Sequence, residues 1–104
     1  MSARREKLVT MLESAPGDQL LRYMLAMELD RCGCPEEALV QFHQLMQSAP
    51  AYVPAFLMAG QLLMRQGRID NARSVFVDGI AVAKQQQNDH AAGEMAGFLA
   101  SLGN

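Results

Sequence analysis

QLLRYMLAMELDRCGCPEEALVQFHQLMQSAP, residues 19–50, and VPAFLMAGQLLMRQGRIDNARSVFVDGIAVAK, residues 53–84, are two copies of one pattern. Laid over one another without a gap they agree at seven positions: Met24/Met58, Leu29/Leu63, Arg31/Arg65, Gly33/Gly67, Ala38/Ala72, Phe42/Phe76 and Ala49/Ala83. Unrelated segments of this length agree at roughly two, and self-similarity at a fixed offset marks an architecture of stacked units. The offset is 34 residues, 58 minus 24. Pro16 and Pro50 lie the same distance apart, so the segment before residue 17 reads as the second half of an earlier unit.

Each copy is punctuated as a helix, a turn and a second helix. Leu21, Leu25 and Leu29 recur every fourth residue up to Gly33, a residue type that tolerates the left-handed backbone closing a helix. Pro35 suits the first helical position, where its missing N–H costs nothing, and Glu36 and Glu37 complement the positive end of the new helix dipole. Ala38, Leu39, Phe42, Leu45 and Met46 then share one side of a second helix that stops before Pro50. The second copy repeats this with Phe56, Ala59, Gly60 and Leu63, a turn at Gly67, and Ala72, Val75, Phe76 and Ile80. Ala26, Ala38, Gly60, Ala72 and Gly79 let paired helices approach closely, while Phe42 and Phe76 fill the space between hairpins.

The period and these residues resemble the tetratricopeptide repeat family, as a small two-repeat protein of bacterial type. The first copy supplies Leu25, Ala26, Leu29, Ala38, Phe42 and Pro50 to the family pattern but has Arg22 at the opening bulky position and Leu45 at a position that is usually small. The second supplies Phe56, Gly60, Leu63, Ala72, Phe76 and Gly79, with Ala59 in place of Leu and Lys84 in place of Pro, so its last helix is expected to run on toward Gln85 to Gln87. The resemblance implies an all-α solenoid of antiparallel helix-turn-helix units, about six helices in one domain. Its parts are an N-terminal half-repeat helix over 3–15, repeats over 19–52 and 53–86, and a C-terminal capping helix over 88–102. Leu8, Met11, Leu12 and Ala15 form the apolar side of the first of these helices, and Ala91, Met95, Phe98, Leu99 and Leu102 that of the last.

In this family the first helix of each hairpin lines a concave groove, which here carries Leu20, Tyr23, Met24, Met27 and Arg31 from one copy and Pro54, Leu57, Met58, Gln61, Met64 and Arg65 from the other. The surface is mostly apolar and rich in methionine, a flexible, polarizable side chain suited to adaptable binding. An exposed patch of that kind marks an interaction site. The resemblance therefore implies an adaptor or scaffold that receives a hydrophobic peptide or helix. Self-association through the same face as a homodimer, or a terminal helix folded across it, is the alternative. Some family members hold a peptide's terminal carboxylate with Lys and Asn at groove positions; Tyr23, Met27 and Met58 stand there, so that clamp is missing. Arg31 and Arg65 read as rim residues, each a cation in the last turn of a helix before glycine.

No reaction chemistry is legible. Glu36 and Glu37 are adjacent on a helix, about 100° apart, and do not converge. His43 and His90 are too few and wrongly spaced to complete a tetrahedral metal site with Cys32 and Cys34, so those thiols read as turn residues, with a redox sensor as the remote alternative. No enzyme, cofactor or metal is expected. With a net charge of −2 the chain lacks the basic face that nucleic acid requires. Arg65, Arg68 and Asp70 interrupt the longest apolar run well short of a membrane span. Half the residues are hydrophobic, enough for a core, and two cysteines give no disulfide framework, which favours a reducing, cytoplasmic setting.

Overall fold

The computed structural model describes residues 2–103. Among them it shows no strand and six α-helices: α1 (Ala3–Ser14), α2 (Gln19–Arg31), α3 (Pro35–Met46), α4 (Val53–Arg65), α5 (Ile69–Gln85) and α6 (Asp89–Ser101). The helix starts are chemically varied. Ser2, Asp18 and Asn88 each accept a hydrogen bond from the backbone N–H three residues on, which satisfies one of the amides that a first turn leaves orphaned. In α3 proline stands in the first turn instead, and in α4 Pro54 does the same.

The ends of α2, α4 and α5 share one device. Gly33, at φ 81°, sends its N–H to the Asp30 carbonyl while Cys34 bonds the Leu29 carbonyl at 2.9 Å. Gly67, at φ 74°, and Arg68 repeat the pair on Met64 and Leu63. Both are Schellman motifs, which absorb two orphan carbonyls at the cost of one left-handed residue. A third copy closes α5 with Gln87 at φ 60°, bonded to Lys84, and Asn88 bonded to Ala83. With no proline at position 84, α5 reaches 17 residues where α3 has 12.

The helices form an antiparallel row measuring 41 × 29 × 18 Å, each packed on its chain neighbours, with α6 also touching α4. Phe42, Phe76, Leu45 and Met95 are the largest fully sealed side chains. The space at Leu45, where the family pattern prefers a small residue, is thus filled. Gly60 and Gly79 are close-approach positions: a Cβ on Gly60 would stand 2.3 Å from Phe76 Cε1, and one on Gly79 would stand 2.5 Å from Met95 Sδ. Phe76 in turn stacks on Phe98, with centroids 5.6 Å apart. The core has two lobes. Leu8, Leu12, Leu25, Leu29 and Phe42 anchor the first, and Phe56, Leu63, Phe76 and Met95 the second.

One core expectation fails. Met11 is 43% exposed, because the inward stripe of α1 is Leu8 and Leu12 and Met11 lies about 100° round from Leu12. The burial of Ala92 beside Ala91 and Met95 goes beyond the stripe expected for α6.

Candidate partner-binding site

The first helices of the two repeats, α2 and α4, present the residues assigned to the groove, at unequal depth. Leu20 is 57% exposed and Met27 36%, seven residues apart and therefore two turns along one side of α2. Between them Tyr23 is half-buried, its ring 5.3 Å from Tyr52 and 6.2 Å from Phe42. Burial, and secondarily the neighbouring Tyr52, push the Tyr23 hydroxyl above its ordinary pKa, so it remains a neutral donor. Met24 and Met58 are half-buried against the first core lobe, Leu57 and Met64 against the second. Gln61 lies beside Met58, its amide 3.8 Å from the Met58 sulfur, and Pro54 is exposed. Met24, Met58 and Met64 are thus wall and floor, while Leu20 and Met27 are the apolar groups of this set that protrude.

Of the terminal helices, α1 packs on α2, and α6 packs on α5 and on α4. The apolar girth of α2 has a local cause as well, since α1 and α3 flank it on two sides.

Both arginines of the expected rim are engaged. Arg65 meets Asp30 at 2.6 Å, tying the end of α4 to the end of α2. Arg31 holds Glu28 through two guanidinium nitrogens, one bond measuring 3.1 Å. Sequence reasoning missed Glu28, which is only 5% exposed. Its carboxylate also accepts from Ser2 Oγ at 2.7 Å and from Cys32 Sγ at 3.3 Å, with Arg4 Nε 3.7 Å away. The Arg31 hydrogen bonds first, and Ser2 next, draw the Glu28 carboxyl down from the usual 4.5 to about 2. This cluster ties the start of α1 to the end of α2. The spacing of Glu28 and Arg31, one helical turn, was the available signal.

Cys32 is exposed and Cys34 half-buried; both are free thiols, and among the described residues no group of three metal-ligating side chains converges. His43 is exposed on α3 and His90 on α6, the latter 3.4 Å from Glu94. Glu36 pairs with Arg68 and Glu37 with Arg5, so the two adjacent carboxylates reach different neighbours. No described helix is long and apolar enough to cross a membrane.

A second feature was not legible beforehand. The second helices of the repeats, α3 and α5, stand apart, leaving a cleft of about 630 Å³ floored by Phe56, Ala59 and Leu63 of α4. At 100° per residue these three lie roughly opposite Leu57, Gln61 and Arg65 on α4, so the cleft opens away from the α2–α4 face.

No family model matches the chain, and no curated protein does. Solved structures do. A tetratricopeptide repeat domain protein from Salinibacter ruber, determined in solution, is 28% identical with a TM-score of 0.79 over 85% of this chain and 89% of that one. A crystal structure of the Salinibacter ruber domain gives 28% identity and a TM-score of 0.74 over 82% and 96%. A Bordetella parapertussis protein, 27% identical, reaches a TM-score of 0.80 over 98% of this chain and 89% of its own. The fold and the repeat define an all-α helical-repeat protein. The chain has a tetratricopeptide-repeat-like fold, and that likeness suggests a protein-interaction module in general.

Proposed function

We propose that the chain is an adaptor or scaffold that receives an apolar peptide or helix on the α2–α4 face. The observation that carries this reading is the pair of protruding side chains, Leu20 and Met27, set two turns apart with Tyr23 and Met24 half-buried between them. That arrangement is a continuous apolar strip whose edge groups, Arg31 and Arg65, are neutralised by Glu28 and Asp30. A partner helix would place anchors at one-turn intervals along the strip, with Met58 and Met64 adjusting beneath them.

The test uses the residues that protrude. Leu20→Glu with Met27→Glu adds two charges to the strip without opening the core, so helicity is expected to stay at the wild-type level by circular dichroism. The bait is the full chain carrying either sequence, and the readout is the set of proteins retained from cell extract. Loss of the specifically retained proteins in the double variant is the expected result; retention of the same set by both baits removes this face from consideration. Light scattering over a concentration series accompanies it. A dimer that the double variant breaks would assign the strip to a second copy of the chain instead.

A further inference from the structure

The cleft between α3 and α5 is a second surface, independent of the first. Its two walls are straight stripes. On α3 the lining positions Leu39, Val40, His43 and Gln47 recur at helical spacing, and on α5 Ser74, Val75, Asp78 and Val82 do the same. From Glu36 to Gln47 the α3 wall is 11 residues apart in sequence (47 minus 36), which at 1.5 Å per residue is a trough of about 16 Å, or three helical turns.

The floor and the edges differ in chemistry. Leu39, Met46, Val75 and Val82 are half-buried along the walls above Phe56 and Leu63, and Val40 stands 53% exposed on the lip. Above them the exposed His43, Gln47, Asn71, Ser74 and Asp78 form no side-chain hydrogen bond or ion pair among the described residues; the polar partners present, Arg68 and Glu36, hold each other at 3.1 Å at one end. The charged lining therefore carries two carboxylates, Glu36 and Asp78, against one guanidinium, and the uncompensated charge is that of Asp78, in the middle of the α5 wall. An apolar trough three turns long with one unanswered anion on its edge selects its occupant by both size and sign.

We infer that this cleft docks an amphipathic helix of a partner protein, with aliphatic anchors at one-turn spacing entering between α3 and α5 and a lysine or arginine on its flank meeting Asp78. The proposal does not rest on the α2–α4 face: the two surfaces share no side chain and can be disabled separately. A second copy of the chain is the poorer occupant, because a two-fold contact through the cleft would bring the two Asp78 carboxylates into the same interface.

Two fluorescein-labelled peptides of about 14 residues, both helical and with the same leucine stripe, test it by fluorescence polarization with the full chain; one has lysine flanks and the other glutamate. The lysine peptide binds the wild type at least about fivefold more tightly than the glutamate peptide, and Asp78→Lys reverses the order. Val40→Glu, at an exposed lip position, weakens both peptides. Leu20→Glu with Met27→Glu leaves both affinities as they were, which separates this surface from the face proposed above. Absence of binding by either peptide, equal binding of the two, or an unchanged preference in Asp78→Lys overturns the inference. So does loss of binding in the Leu20→Glu, Met27→Glu variant. A concentration-dependent dimer that Val40→Glu dissociates would overturn it in favour of self-association.

Discussion

Replacing Gly60 with alanine sets two well-understood effects against each other, and the structure decides the sign. Alanine in a helix interior is favoured over glycine by about 1 kcal/mol. At Gly60, however, the new methyl would lie 2.3, 2.4 and 2.8 Å from three ring carbons of Phe76. That ring is fully buried and stacked on Phe98, so it has no free direction in which to yield. Overpacking a close-packed core costs about 1–3 kcal/mol, and contacts this short belong at the upper end. Subtracting the propensity gain leaves Gly60→Ala destabilised by about 2 kcal/mol, a fall in Tm of roughly 8–16 °C for a chain of this size. Gly93→Ala is the control: a Cβ there meets nothing within 4 Å, so the propensity term acts alone and Tm rises by roughly 4–8 °C. Thermal unfolding followed by circular dichroism, with urea titration for the free energies, reads both. Adding Phe76→Leu to Gly60→Ala should cost less than the two single losses combined, since the smaller side chain vacates the contact. A Gly60→Ala protein as stable as wild type, or strict additivity in the double variant, would refute the packing argument.

Two further outcomes follow from groups held in unusual states. The Glu28 carboxyl is depressed to about 2 in the folded chain against 4.5 ordinarily, so its contribution is fully present above pH 4.5 and is lost as pH falls from 4.5 toward 2. Glu28→Gln should accordingly be less stable than wild type at pH 7, with the gap narrowing across that window; a gap that does not vary with pH would show that the ion cluster is not its source. Gln87 occupies the left-handed region at φ 60° where the two sister turns have glycine, so Gln87→Gly should raise stability by about 1 kcal/mol in a urea titration, and a decrease would mean that the side chain contributes more than the backbone costs.

What could be read beforehand follows the physics of each signal. The hairpins were legible because their information is local: Gly33 and Gly67 each close a helix with a left-handed residue, Pro35 opens one, and the 34-residue offset fixes which sides meet. Close approach was legible at Gly60 because its counterpart in the first copy, Ala26, is small as well, whereas the counterpart of Gly79 is the bulky Leu45 and only the family pattern marked that position. Depth was not. Met24, Met58 and Met64 belong to the α2–α4 face, but how far each sinks depends on Tyr52 and the flanking helices, which sequence spacing does not encode. Glu28 escaped notice for a related reason, since its burial is imposed by Ser2 and Arg4 from a helix more than twenty residues earlier. The α3–α5 cleft is a property of the distance between two helices, and no single segment carries it.

The division of the core into two lobes gives α4 a particular standing. Ala55, Ala59 and Leu62 belong to the first lobe, and Val53, Phe56 and Leu63 of the same helix to the second. The outer helices have a single dependency each: α1 can loosen while the second lobe stays shut, and α6 can loosen while the first does. The middle helix has no such freedom, because releasing it dissolves both halves together. Local opening is thereby confined to the ends of the row, and the helix that borders both the apolar strip and the cleft behind it is the part of the molecule least able to melt alone.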